Sequence, residues 1–188
     1  MYLNMAEKAN QILEKYQVKD FPVSIDVIEQ IICNEGIDIE ITKYLKKGLY
    51  HEDGGAKVIY IGRSLENKIY REYLIHETAH MYHCGNSALL DPFVVDKNEG
   101  QAQAFAAYFL MPIGIFEQYL AQGENDYNLS EIFGVTIDLV LFRKQLSQAL
   151  IEGGDYERLK VYFFNDHTKH KFRMIRSDTI EMDCNSTW

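Results

Sequence analysis

His76-Glu77-Thr78-Ala79-His80 constrains this chain more than any other stretch. On an α-helix, two histidines four residues apart lie about 6 Å apart along the axis and nearly on one face. With Zn–N bonds of about 2.0–2.1 Å, both imidazoles can grip one ion between them. Glu77 follows the first histidine, so its carboxylate comes beside the ion rather than onto it. There it can act as a general base toward water. Six histidines and sixteen glutamates would give H-E-x-x-H by chance with an expectation of about 0.02. The competing reading is an ordinary surface pair. Tyr73-Leu74-Ile75 before the motif and Ala79 within it describe a largely buried helix, where imidazoles and a carboxylate without partners would be costly. The stretch predicts a metal-binding helix in a fold that brings a further ligand up to it.

The rest of the chain supplies such a fold. Ala6, Ala9, Ile12, Leu13 and Tyr16 fall at helical spacing, and Ser24 caps a second helix that Gly36 ends. Ile37, Ile39 and Ile41 alternate with charged residues as in a half-buried strand. Two more strands are expected at 48–50 and 58–61, across a turn at Asp53-Gly54-Gly55. Leu65–His83 reads as the metal helix and 86–96 as an irregular connection. Asn98–Met111 reads as a helix ended by Pro112, with shorter helices at 113–121 and 129–133 and a Thr136-capped helix to about Ile151. Segments 160–164 and 171–175 suggest a terminal hairpin. The order of two helices, three strands and then helices indicates α+β: a mostly helical domain with a small antiparallel sheet and a C-terminal β-hairpin. The expected division is a main domain at 1–155 and a hairpin extension at 156–188 packed on it.

A catalytic zinc takes three protein ligands and keeps one position open. Downstream candidates are His83, Asp91, Asp96 and Glu99. His83 lies seven residues from His76, about 10.5 Å along the axis, whereas the ion must sit between His76 and His80. Glu99 follows enough chain for a reversal that sets two helices side by side, and Gly100, Ala102, Ala104 and Ala106 permit their close approach. Taken alone, Glu99 equally fits an acid that favours a helix N-terminus.

Together these residues are more specific. His76-Glu77-Thr78-Ala79-His80, then Glu99-Gly-Gln-Ala102 through Phe105-Ala106 and Leu110-Met111-Pro112, resemble the ImmA/IrrE family of metallo-endopeptidases. That family shows R-F-T-L-A-H-E-x-x-H on one helix and E-x-E-A-N-x-F-A-x-x-L-L-M-P downstream. Arg71 matches the start of the first motif, and the likeness spans Ala6 to about Leu150. Tyr73, Gln101, Gln103 and Phe109 depart from the family's usual Thr, Glu, Asn and Leu.

The resemblance implies a gluzincin-like zincin fold that holds one Zn2+ per chain through His76, His80 and Glu99, with Glu77 as the base. It also implies an endopeptidase of a phage or mobile element that cuts a helix-turn-helix repressor. Tyr82, His83, Gln103 and Tyr108 are candidates to support the ligands or face the substrate. The alternative is a catalytically weak zinc-fold module that binds and regulates a repressor or other partner.

A net charge of −9 argues against nucleic-acid and membrane surfaces, since phosphates are bound by basic patches. Leu129 through Arg143 superficially fits a helix-turn-helix, but its second helix would offer Ile137, Asp138 and Leu139 to phosphates. Core packing is the expected role of that pair. Cys33, Cys84 and Cys184 have no paired spacing, which suits reduced thiols and a cytoplasmic location. Cys84 is read as a structural thiol, and Asp126, Asp155, His167 and His170 show no ligand spacing.

Overall fold

A computed structural model of the chain describes residues 2–82 and 91–154 with their side chains, and 171–174 and 180–183 as backbone. Helices α1 (Leu3–Lys15) and α2 (Ile25–Asn34) come first. Strands β1 (Asp38–Thr42), β2 (Gly48–Asp53) and β3 (Ala56–Gly62) follow. Next come α3 (Asn67–Ala79), a 3-10 turn (His80–Tyr82), α4 (Pro92–Leu110), α5 (Ile115–Ala121), α6 (Asp126–Phe133) and α7 (Ile137–Glu152). Strands β4 (Lys171–Met174) and β5 (Ile180–Asp183) form an antiparallel pair. This is the expected α+β architecture. Of the expected terminal hairpin, 171–174 pairs with 180–183, and the segment 160–164 lies outside the described residues.

The small sheet is mixed rather than antiparallel. Its order is β1-β3-β2, with β3 antiparallel to β2 and parallel to β1. Gly54 and Gly55, with φ of 57° and 89°, form the two-residue turn that closes the β2–β3 hairpin, a conformation that side chains resist. The chain between β1 and β2 crosses the end of β3, where a Cβ on Gly62 would stand 2.5 Å from the Leu45 carbonyl oxygen. That crossing puts β2 on the far side of β3 and leaves β1 beside β3, running the same way.

Helix α4 also departs from expectation. Asp91 Oδ1 accepts a hydrogen bond from the Phe93 N–H at 2.8 Å and Pro92 occupies the first turn. Together they start the helix well before Asn98. Phe93 is 76% exposed, so this first turn carries no core-facing apolar pattern. Glu99 therefore lies about two turns inside α4 rather than at its opening, which removes the N-terminal explanation of its position. The other caps follow the sequence, with Ser24 Oγ accepting from Val27 and Thr136 Oγ1 from Leu139.

Helix α3 lies between the sheet and α4, and α1 and α7 pack on α4. One side of α3 also fastens the turn between α6 and α7. Lys68 Nζ donates to Ser130 Oγ at 2.9 Å, Arg71 Nη1 donates to the Gly134 carbonyl at 2.5 Å, and Glu72 accepts from the Thr136 N–H and hydroxyl. Gly134 has φ 61°, and a Cβ there would meet Arg71 Nη1 at 2.1 Å. Arg71 thus ties the metal-motif helix to the α6–α7 pair.

The pair is core, as its sequence suggested: Leu129, Phe133, Val135 and Val140 are fully buried. Arg143 is buried too, donating to Glu117 Oε1 at 2.8 Å, the Met111 carbonyl at 2.9 Å and Ser147 Oγ at 2.5 Å. Lys144 pairs with Asp126, so both cations near a supposed recognition helix are engaged internally. Glu117→Ala would leave the Arg143 charge buried without its carboxylate. The expected cost is about 3–5 kcal/mol in a urea unfolding series, much of it recovered when Arg143→Met is added.

No single described helix is long and apolar enough to cross a membrane.

Candidate metal centre

The last turns of α3 and the middle of α4 build the site. His76 lies in α3, and His80 stands where α3 tightens into the 3-10 turn, at φ −64° and ψ −20°. This tightening is common at helix ends and keeps the two imidazoles on one side. Their ring centres are 5.2 Å apart. Glu99 comes from α4, with Ala102 and Ala106 fully buried on the same stripe, so that α4 can lie close to α3. At Gly100 a Cβ would stand 2.4 Å from the hydroxyl of Tyr2, the residue just before α1.

Nitrogens of His76 and His80 and a carboxylate oxygen of Glu99 all lie within 4.8 Å of one another. His76 Nε2 is 3.2 Å from Glu99 Oε2, and His80 Nε2 is 3.6 Å from Oε1. Two ligand atoms each about 2.0–2.1 Å from a tetrahedral ion stand about 3.3 Å apart. The spacing and the N, N, O donor set therefore fit a divalent metal such as zinc. Among the described residues this is the one cluster of three or more such side chains.

Glu77 is adjacent but separate. Its Oε2 is 4.0 Å from His80 Nε2 and accepts the Tyr50 backbone N–H at 2.8 Å. The residue is 7% exposed. Burial pushes its carboxyl above the usual carboxylate range, reinforced by Glu99 and opposed by His76, the Tyr50 N–H and Lys47. A partly desolvated carboxylate aimed beside a metal cluster is suited to taking up and releasing a proton.

The remaining candidates divide. Gln103 is exposed one turn beyond Glu99, on the same side of α4. Tyr82 packs its ring 5.6 Å from that of Phe105 and under Lys8 Nζ, and burial pushes its phenol up to about 12. It is a packing residue between α1 and α4. Tyr108 lies nine residues past Glu99, half a turn around α4, with Arg143 4.7 Å from its ring. Its hydroxyl has no hydrogen-bond partner among the described residues, and burial pushes it up to about 12. It faces the core rather than the metal cluster. His83 and Cys84 lie outside the described residues, as do Asp155, His167 and His170. Asp91 caps α4, and neither it nor Asp96 joins the cluster.

Sequence reasoning missed Gly48 and Tyr50 at the start of β2. A glycine opening a predicted strand is the signal that marks close backbone approach.

No curated protein matches the chain. Among solved structures, a Mycobacterium tuberculosis transcriptional regulator is similar with a TM-score of 0.58 and 17% sequence identity, over 73% of this chain and 44% of that one. This likeness concerns the fold, and the chain spans less than half of that protein's length. The sequence profile of the IrrE N-terminal-like domain, a peptidase family, matches residues 34–144. That stretch runs from the end of α2 into α7 and contains His76, Glu77, His80 and Glu99. With more than half of its length matched, the chain belongs to the IrrE N-terminal-like family of metallopeptidase-like domains.

Proposed function

We propose that the chain is a zinc-dependent endopeptidase, and that its substrate is a helix-turn-helix repressor. The observation that carries the reading is the meeting of His76, His80 and Glu99, with Glu77 held beside them. His76, His80 and Glu99 would hold the ion. When bound, zinc supplies Lewis acidity, polarising a carbonyl and lowering the pKa of water toward neutrality. Glu77 takes the proton from the attacking water and passes it to the leaving amine as the C–N bond breaks. The Tyr50 N–H keeps that carboxylate turned toward the cluster.

The substrate class rests on the ImmA/IrrE resemblance and on charge. A repressor's DNA-reading face is basic and this chain carries −9, so encounter is electrostatically assisted. A helical peptide hides its carbonyls in its own hydrogen bonds, so the cut falls in a linker or a transiently unfolded helix. Incubating zinc-loaded protein with a genetically linked repressor should yield one or a few discrete fragments by mass. Cleavage should slow as salt rises through the physiological range. A repressor left whole, yet bound equally by wild type and Glu77→Gln, would favour the binding-module alternative.

A further inference from the structure

We infer that Gly48 is a positioning residue for Glu77: the side chain missing at the start of β2 is what lets the base seat against that strand. The inference rests on the peptidase reading for its catalytic meaning, but the contact behind it stands on geometry. Gly48 is buried. A Cβ there would lie 2.5 Å from Glu77 Cγ, 2.8 Å from Oε1 and 3.0 Å from Cδ. Its φ is outside the left-handed range, unlike those of Gly54, Gly55 and Gly134. The backbone therefore does not call for glycine at this position, and the space does.

Strand β2 is at the edge of the sheet, paired only with β3. Two residues on from Gly48, the Tyr50 N–H donates to Glu77 Oε2 at 2.8 Å. Gly48 and Tyr50 thus act together, one leaving room for the side chain and the other orienting its carboxylate. A methyl at position 48 meets Cγ, near the root of the side chain, so the carboxylate cannot simply swing its far end aside. Glu77 must change rotamer and give up the Tyr50 N–H.

The other glycines that permit close approach serve different neighbours, Gly62 the Leu45 carbonyl and Gly100 the Tyr2 hydroxyl. Among the described glycines, the contact with Glu77 belongs to Gly48.

The test is a double-mutant cycle on the zinc-loaded protein, with Gly48→Ala, Glu77→Ala and both together, read by Tm, zinc content and cleavage of the linked repressor. Gly48→Ala should keep its zinc and its KM while kcat falls about 10–100-fold, the scale of a misplacement near 1 Å. It should also lower Tm in the Glu77 background and hardly at all in the Glu77→Ala background, where the methyl has room. A single variant too unstable to purify, rescued by adding Glu77→Ala, supports the same contact. Equal Tm losses in both backgrounds would overturn the inference, as would an unchanged kcat. A wild type that cuts no repressor would instead sink the peptidase reading, while Tm coupling between the two positions would still register the contact.

Discussion

Glu77→Gln should keep its zinc and its fold while proteolysis falls by about two to four decades, the usual contribution of a positioned general base. Glutamine preserves length and helix propensity and can still accept the Tyr50 N–H that Glu77 Oε2 accepts now. It cannot take a proton from water. The structure separates the two roles cleanly, because Glu77 lies outside the trio of clustered ligand atoms and 4.0 Å from His80 Nε2. Single-turnover cleavage, with zinc measured in the same samples, checks both halves. An unchanged rate would show that another group is the base, and zinc lost together with activity would make Glu77 a ligand.

Glu99→Ala should weaken zinc binding by more than about 100-fold, beyond the 10–100-fold that loss of a residue supporting a ligand costs. Glu99 brings the one carboxylate of the trio and turns an oxygen to each imidazole, Oε2 at 3.2 Å from His76 Nε2 and Oε1 at 3.6 Å from His80 Nε2. Without it the two histidines alone face the ion. Asp96→Ala and His83→Ala are the controls, since Asp96 lies outside the cluster and His76, His80 and Glu99 already supply the three protein ligands that a catalytic zinc takes. Both should hold one zinc per chain by elemental analysis. Zinc lost from His83→Ala but kept by Glu99→Ala would reverse the choice of third ligand.

What could be read from the sequence was local. The caps at Ser24 and Thr136 were legible because a hydroxyl and an N–H three residues on decide them. His76, Glu77 and His80 were legible because a single helix fixes their spacing. The parallel pairing of β1 with β3 was not, since alternating isoleucines look the same with either partner. The start of α4 was hidden because Phe93 and its neighbours face solvent, although Asp91-Pro92 was a local signal for it. Glu99 needed the resemblance, because nothing local tells which face of α4 meets α3. Placing Tyr108 needed a face argument: nine residues turn it half a revolution from Glu99. Gly48 depends on where β2 passes α3, which is tertiary. Arg71 entered as a motif match, and its contact with Gly134 gives it a docking role that its position in the motif did not disclose.

Proteolysis as a function of zinc reaches the central claim most directly. Protein stripped by a chelator, then titrated with zinc, is incubated with the linked repressor and the fragments are weighed. Cleavage absent from the stripped protein, restored at about one equivalent of zinc, and missing from Glu77→Gln at the same zinc content is the expected result. Cleavage that persists without metal, or zinc-loaded wild type that leaves the repressor whole, would contradict it.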